Sequence, residues 1–334
     1  MPVIIKTALY RGIVDISDER KAHIGDVPSL GGVGIFISSV FVLLLTLPTD
    51  QFATFRYILS ALTIIFLLGA QDDLKPLTPL VKLLGQLVAV FIFIIFADVR
   101  ISHLHGLFGI SSISYSLSII ISVLFYLFVI NSYNLIDGIN GLCSTAVVLI
   151  TSLLGSWFFM VGYFEYCTLA FVVCGATLAF LKFNITPSTI FMGDTGSLVL
   201  GAVCSVIVIQ FLEINALLVT HPFRFESPII IATGLMILPI YDTLRVFAIR
   251  ILEGTSPFEA DKRHLHHLML ETGLSHMQST STLLAFNVFM IVLAFQVSDL
   301  PILFAFCLLI SVSIIFTQVI RLIIASKPSV ASSS

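Results

Sequence analysis

Ten apolar stretches, each near the length that carries a helix across a lipid bilayer, dominate this chain of 334 residues. They run over roughly 31–48, 55–71, 80–97, 116–131, 141–161, 165–182, 197–213, 228–248, 279–298 and 300–322. A spanning helix needs about 20 mostly apolar residues, and inside hydrocarbon its backbone groups must be satisfied internally. Few folds meet that demand. The expected class is all-α, a polytopic transmembrane helical bundle with about ten spans.

Composition agrees. Hydrophobic residues make up 58% of the chain and charged residues 10%, with a mean hydropathy of +1.10, so a water-soluble surface could not be covered. Lys and Arg number 16 against 19 Asp and Glu, a near-balance that argues against a nucleic-acid partner. Cys143, Cys167, Cys174, Cys204 and Cys307 fall in or beside apolar stretches without metal or disulfide spacing, and read as small hydrophobes. Met1 to Tyr10 is too short for a cleavable signal peptide. No repeat or linker is visible, so residues 1–334 are expected to form one integral-membrane domain.

Counting spans assigns every loop to one of two sides. The N-terminus, the loops near 71–79, 131–140, 183–196 and 249–277, and the tail share side one. That side holds 13 of the Lys and Arg residues, and the other holds only Arg56, Arg100 and Arg224. The positive-inside rule makes side one cytoplasmic.

The acidic clusters fall on that same side. Asp72-Asp73 ends the second stretch, with Lys75 and Lys82 following. Adjacent carboxylates repel unless a cation intervenes, and a hard divalent cation prefers oxygen ligands. A solvated helix end explains this dipeptide equally well. Asp137 lies in Asn131-Ser132-Tyr133-Asn134-Leu135-Ile136-Asp137-Gly138-Ile139-Asn140-Gly141, where helical spacing puts Asp137 and Asn140 on one face and the glycines allow close approach. Asp194 lies in Phe191-Met192-Gly193-Asp194-Thr195-Gly196-Ser197, just before a helix whose N-terminus attracts anions. Phe191 beside it could stack on a base, or pack at the membrane interface. In Asp261-Lys262-Arg263-His264-Leu265-His266-His267 the histidines could bind zinc, yet on a helix His264 and His267 share a face and His266 turns away. Lys262 and Arg263 favour an anion-binding loop instead. Asp242 and Arg245, three apart, suit a structural pair, and Pro239 is expected to kink its helix.

Carboxylates for a metal, cationic donors for phosphate and a membrane surface together describe phosphoryl transfer, which is mostly positioning and charge neutralisation. With Pro28-Ser29-Leu30-Gly31-Gly32-Val33 and Ser256-Pro257-Phe258 through His267 added, the motifs resemble the polyprenyl-phosphate N-acetylhexosamine-1-phosphate transferases (glycosyltransferase family 4, the family of WecA, TagO and MraY). The His-Leu-His-His form and Asp242-Thr243-Leu244-Arg245-Val246 resemble the WecA branch more than the MraY branch.

The resemblance implies transfer of N-acetylhexosamine-1-phosphate, foremost GlcNAc-1-phosphate, from a UDP-N-acetylhexosamine to undecaprenyl phosphate, with UMP released. This is an initiating step of cell-surface polysaccharide synthesis. It implies Mg²⁺, with Mn²⁺ as an alternative, held by Asp194 and Asp137, and Asp72 or Asp73 positioning or deprotonating the lipid phosphate. Phe191 and Asn184 would lie at the uridine and Asp137 at the nucleotide–metal side, Asn134 and Asn140 would bind substrate, and Lys82, His264, His266 and His267 would hold phosphates. The implied setting is the inner (plasma) membrane, its cytoplasmic face carrying the site, with room for a homodimer.

Two departures stand out. Asn140 occupies a position where many relatives carry aspartate, so one negative charge is lost. Only Met1 to Tyr10 stands where the family has a complete helix before Arg20, so the first family helix is expected to be missing or truncated. The rival reading is a transporter or flippase for a lipid-linked or nucleotide-linked sugar, which would place polar groups along a midplane path with inverted repeats.

Overall fold

A computed structural model describes residues 1–12, 27–49, 51–185, 187–256 and 262–327. Asp261, Pro257, Phe258, Arg20 and Lys21, used in the sequence reading, lie outside the described residues.

All ten apolar stretches are helices. They are α2 (Gly31–Thr46), α3 (Phe52–Leu74), α4 (Pro79–Phe91, continued by a wider turn over Ile92–Phe96), α5 (Tyr115–Ile136), α6 (Leu142–Val161), α7 (Phe164–Asn184), α8 (Gly193–Leu217), α9 (Pro228–Leu252), α11 (His276–Val297) and α12 (Ile302–Ala325). Among the described residues, 9 are long and apolar enough to cross a membrane, and α2 is a shorter apolar helix. Two short helices complete the set, α1 (Pro2–Arg11) and α10 (Leu265–Glu271). The chain is a polytopic α-helical membrane protein.

Helix starts lie where capping chemistry puts them. Thr78 accepts the Val81 N–H and Pro79 follows it, opening α4. Ser275 and Gln278 form a reciprocal capping box, so α11 starts at His276 rather than at 279. Pro301 stands immediately ahead of α12, closing the tight α11–α12 turn. Helix α9 runs on through Pro239.

Helix α8 is the axis of the bundle. It packs against α2, α3, α5, α6 and α9, and every residue from Thr195 to Ile209 is buried. A helix apolar all round has no face to give to solvent or lipid, which explains its central place. Helix α12 is the opposite case. It buries one stripe, Ala305, Leu309, Ser313, Thr317 and Ile320, and exposes large apolar residues such as Phe304, Ile315 and Leu322.

The end of the bundle away from the acidic clusters carries a hairpin that the apolar pattern does not announce, β1 (His103–Leu107) and β2 (Ile110–Ser112), paired antiparallel. Glu213 of α8 anchors it, its Oε1 accepting the N–H of Ser102 at 2.7 Å and of His103 at 3.2 Å. Burial, with the His103 ring second, lowers the His105 imidazole to about 4. Glu213 is thus a structural tether.

Candidate active site

The side-one loops converge on one cavity of about 490 Å³. Asp72, Asp73, Asn134, Asp137, Asn140, Asn184, Phe191, Asp194 and His267 all line it. These come from α3, α5, α7, α8, α10 and the loops between them, so sequence-distant clusters become one site.

Asp73 ends α3 and reaches the start of α8. Its Oδ1 accepts the Asp194 N–H at 2.8 Å, and its Oδ2 accepts the Thr195 N–H at 2.9 Å together with the Thr195 hydroxyl. A helix N-terminus leaves N–H groups unmet and carries partial positive charge, so this carboxylate both caps and neutralises it. Gly193 permits the approach: its φ is +72°, and an added Cβ would lie 2.2 Å from the Ser29 carbonyl oxygen and 2.6 Å from the Asp73 carboxylate.

Asp194, in the first turn of α8, is gripped from two sides. Asn134 Nδ2 on α5 donates to Asp194 Oδ1 at 2.8 Å and to Ser197 Oγ at 2.9 Å. Lys82 Nζ on α4 meets Asp194 Oδ2, and it reaches Asp72 Oδ2 at 3.2 Å. Asp72 Oδ1 accepts the Leu77 N–H at 2.7 Å. An ammonium between two carboxylates offsets a repulsion of about 4 kcal/mol at ~4 Å and an effective dielectric of ~20.

Asp137 follows α5 directly and lines the cavity. Burial, then the Asp194 and Asp73 carboxylates, push its carboxyl well above the usual range. Asn184 spends its amide on the scaffold: Oδ1 accepts the Gly141 N–H at 2.7 Å and Nδ2 donates to the Ile190 carbonyl at 3.1 Å. Asn140 is buried, its carbonyl accepting the Thr280 hydroxyl at 2.7 Å. Phe191 is set against the Pro28–Gly32 segment, where its N–H donates to Pro28 O at 2.8 Å and its carbonyl accepts the Gly31 N–H at 2.9 Å.

The three histidines divide. His264 precedes α10 in an extended conformation, so the helical spacing expected between it and His267 does not apply. Its Nδ1 pairs with Asp242 Oδ2 at 3.0 Å, and Asp242 Oδ1 accepts from Arg245 at 2.8 Å and from the Leu265 N–H at 2.9 Å. The Asp242–Arg245 pair is therefore the anchor of this loop. His266, expected to turn away, is buried between the other two rings and fills the space that a side chain on Gly138 would need. Burial, then the neighbouring His267, lower its imidazole to about 3. His267 alone of the three lines the cavity.

The donors suit a hard divalent cation. Four carboxylates line the cavity, and Mg²⁺ is commonly held by one or two carboxylates with substrate phosphates completing its shell. Among the described residues no three His, Cys, Asp or Glu side chains form a metal-holding group, so the zinc reading of the histidines gains nothing. Ser29, Leu270 and His276 also line the cavity and were not singled out in the sequence. The Ser275-x-x-Gln278 pattern was the available signal for His276, since it puts that residue in the first turn of α11.

A family model for glycosyl transferase family 4 matches residues 55–212. A relative from Bacillus subtilis (strain 168), a "probable undecaprenyl-phosphate N-acetylglucosaminyl 1-phosphate transferase", is 34% identical over 284 residues, covering 83% of this chain and 75% of the relative. The chain belongs to glycosyl transferase family 4. This transferase is also 30% identical to a decaprenyl-phosphate N-acetylglucosaminephosphotransferase of Mycobacterium tuberculosis (strain ATCC 25618 / H37Rv), over 79% of its own length and 70% of the relative's. It is 26% identical to an undecaprenyl-phosphate alpha-N-acetylglucosaminyl 1-phosphate transferase of Escherichia coli (strain K12), covering 82% and 73%. The family match takes in every carboxylate of the transferase's cavity, whereas the histidine segment lies beyond it.

Proposed function

We propose that the cavity transfers N-acetylhexosamine-1-phosphate, foremost GlcNAc-1-phosphate, from a UDP-sugar to undecaprenyl phosphate. An oxygen of the lipid phosphate attacks the β-phosphorus of the nucleotide sugar. The bond from that phosphorus to the oxygen bridging the α-phosphate breaks, UMP leaves with that oxygen, and a polyprenyl-diphosphate-sugar forms. The observation carrying this reading is that Asp72 and Asp194, both lining a cavity at the helix ends, share the Lys82 ammonium. There a phosphate anchored in the bilayer can meet a water-soluble nucleotide. The names of the relatives add the polyprenyl phosphate and the N-acetylglucosamine phosphate.

Each residue has a part. Lys82 turns from its carboxylates to hold phosphate oxygens, and Asp72 steers the lipid phosphate. Asn134 fixes the orientation of Asp194. Asp194 and Asp137 would hold Mg²⁺, which would supply charge neutralisation for the phosphates. Phe191 offers its ring to uracil, and His267, which lines the same cavity, holds phosphate. The setting is the inner membrane with the cavity on the cytoplasmic face, supported by 13 basic residues on that side.

Purified protein given undecaprenyl phosphate, Mg²⁺ and a panel of UDP-sugars should release UMP and yield a lipid product of the matching mass. Chelation should stop the reaction. Asp194→Asn should abolish turnover with the thermal midpoint retained. Folded protein that releases no UMP from any UDP-N-acetylhexosamine would refute the reading.

A further inference from the structure

One turn deeper than Lys82, a second polar contact joins the same two helices. Gln86 on α4 and Asn131 on α5 pair their amides reciprocally: Asn131 Nδ2 donates to Gln86 Oε1 at 2.8 Å, and Gln86 Nε2 donates to Asn131 Oδ1 at 3.3 Å. Asn131 Nδ2 also reaches the Leu127 carbonyl at 2.7 Å, which fixes its rotamer. Gln86 is 1% exposed, so water cannot take the place of its partner.

The positions matter more than the pair itself. Gln86 follows Lys82 by four residues and Asn131 precedes Asn134 by three, so each amide lies on the same helix face as a group that touches Asp194. Lys82 meets Asp194 Oδ2, and Asn134 donates to Asp194 Oδ1. A closed circuit results: Asp194, Lys82, α4, Gln86, Asn131, α5, Asn134 and back to Asp194. Helix α4 also packs against α3, where Gly85 lies against Leu68, but few of its own side chains are buried there. It buries only Gln86, Ala89 and Val90, and exposes Leu80, Val81, Leu83 and Leu84. Contact with lipid does not set a rotation angle; packing against neighbouring helices does, and a two-point amide pair adds a directional contact to that packing.

We propose that Gln86 and Asn131 are positioning residues that set the rotation of α4 against α5 and thereby place the Lys82 ammonium beside Asp72 and Asp194, where it rests without substrate and from which it reaches the phosphates. The proposal rests on the transfer reaction for its kinetic consequence, but not for its structural one.

Gln86→Leu, Asn131→Leu, the Leu–Leu double variant and the exchanged pair (Gln86→Asn with Asn131→Gln) separate the outcomes. The first readout is the rate at which an amine-directed amidating reagent modifies Lys82, followed by mass spectrometry, with the exposed Lys75 as internal reference. Lys82 reactivity relative to Lys75 should rise several-fold in either Leu variant, rise no further in the double variant, and return toward wild type in the exchanged pair. The second readout is steady-state transfer. Each Leu variant should lose about tenfold or more in kcat with little change in KM for the UDP-sugar, and the exchanged pair should recover most of it.

Unchanged Lys82 reactivity in variants that keep the wild-type thermal midpoint would overturn the proposal, whatever the enzyme turns over. So would a kcat loss that the exchanged pair does not recover. If a Leu variant fails to fold, the exchanged pair and a Gln86→Glu variant carry the same comparison. A wild-type protein with protected Lys82 and no UMP release would refute the transfer reading and leave the positioning result standing.

Discussion

At the scale of single residues, neighbouring side chains of the same type do different work. Asp72 and Asp73 are indistinguishable by composition, yet Asp73 commits both oxygens to the N-terminus of α8 while Asp72 shares Lys82 with Asp194. Asp73→Asn turns an N–H donor toward unmet N–H groups and should cost about 1–3 kcal/mol. Asp72→Asn should leave the thermal midpoint nearly unchanged and lower kcat by roughly 100-fold. Parallel melting and turnover measurements on the two variants check this, and equal melting losses would count against it. His266 supplies a pH dependence. Its folded value of about 3 lies below its ordinary 6.5, so the unfolded chain gains a proton that the folded one refuses. Its stabilising contribution is fully present above pH ~6.5 and declines as pH falls toward ~3. Scanning fluorimetry should show a shallower loss of midpoint between pH ~6.5 and ~5 in His266→Gln than in wild type. The sequence revealed which residue types gather on side one, but not which carboxylate caps a helix or which histidine reaches the cavity. Those choices depend on where a partner from another helix arrives.

Among the elements, the apolar stretches were legible because a bilayer imposes a minimum apolar length on each span. Their starts were less so. Helix α8 begins at Gly193 and α11 at His276, each about one turn before its apolar run, because polar first turns are satisfied by capping and not by burial. Ser275→Ala removes one arm of the α11 capping box and should cost about 1 kcal/mol. An unchanged melting midpoint in that variant would mean that tertiary packing alone sets this helix start. The β1–β2 hairpin was missed for a related reason. Its strands are short and carry no alternating apolar pattern, and Glu213, 101 residues beyond the last strand residue, Ser112, holds the hairpin in place.

For the whole molecule, sidedness joins function to topology. Under the proposed function, a cavity serving a cytoplasmic nucleotide would require the loops bearing Asp72, Asp137, Asp194 and His267 to face inward, with the hairpin outside. In a Cys307→Ser background, where the other cysteines are buried, a membrane-impermeant maleimide should label Phe108→Cys in intact cells and Lys75→Cys only after permeabilisation. The reverse pattern would invert the topology and remove the nucleotide side of the mechanism. The sequence by itself determined the membrane class, the helix count and the side on which the acidic clusters gather, because hydrophobic length and charge bias act locally and add along the chain. Only the tertiary structure decided that Lys82 stands between Asp72 and Asp194, that Asp73 caps α8, and that His264 and His266 lie behind His267. The Lys82 and Asp73 relations join residues from 10 to 122 positions apart, and they exist only once α8 is enclosed by its neighbours.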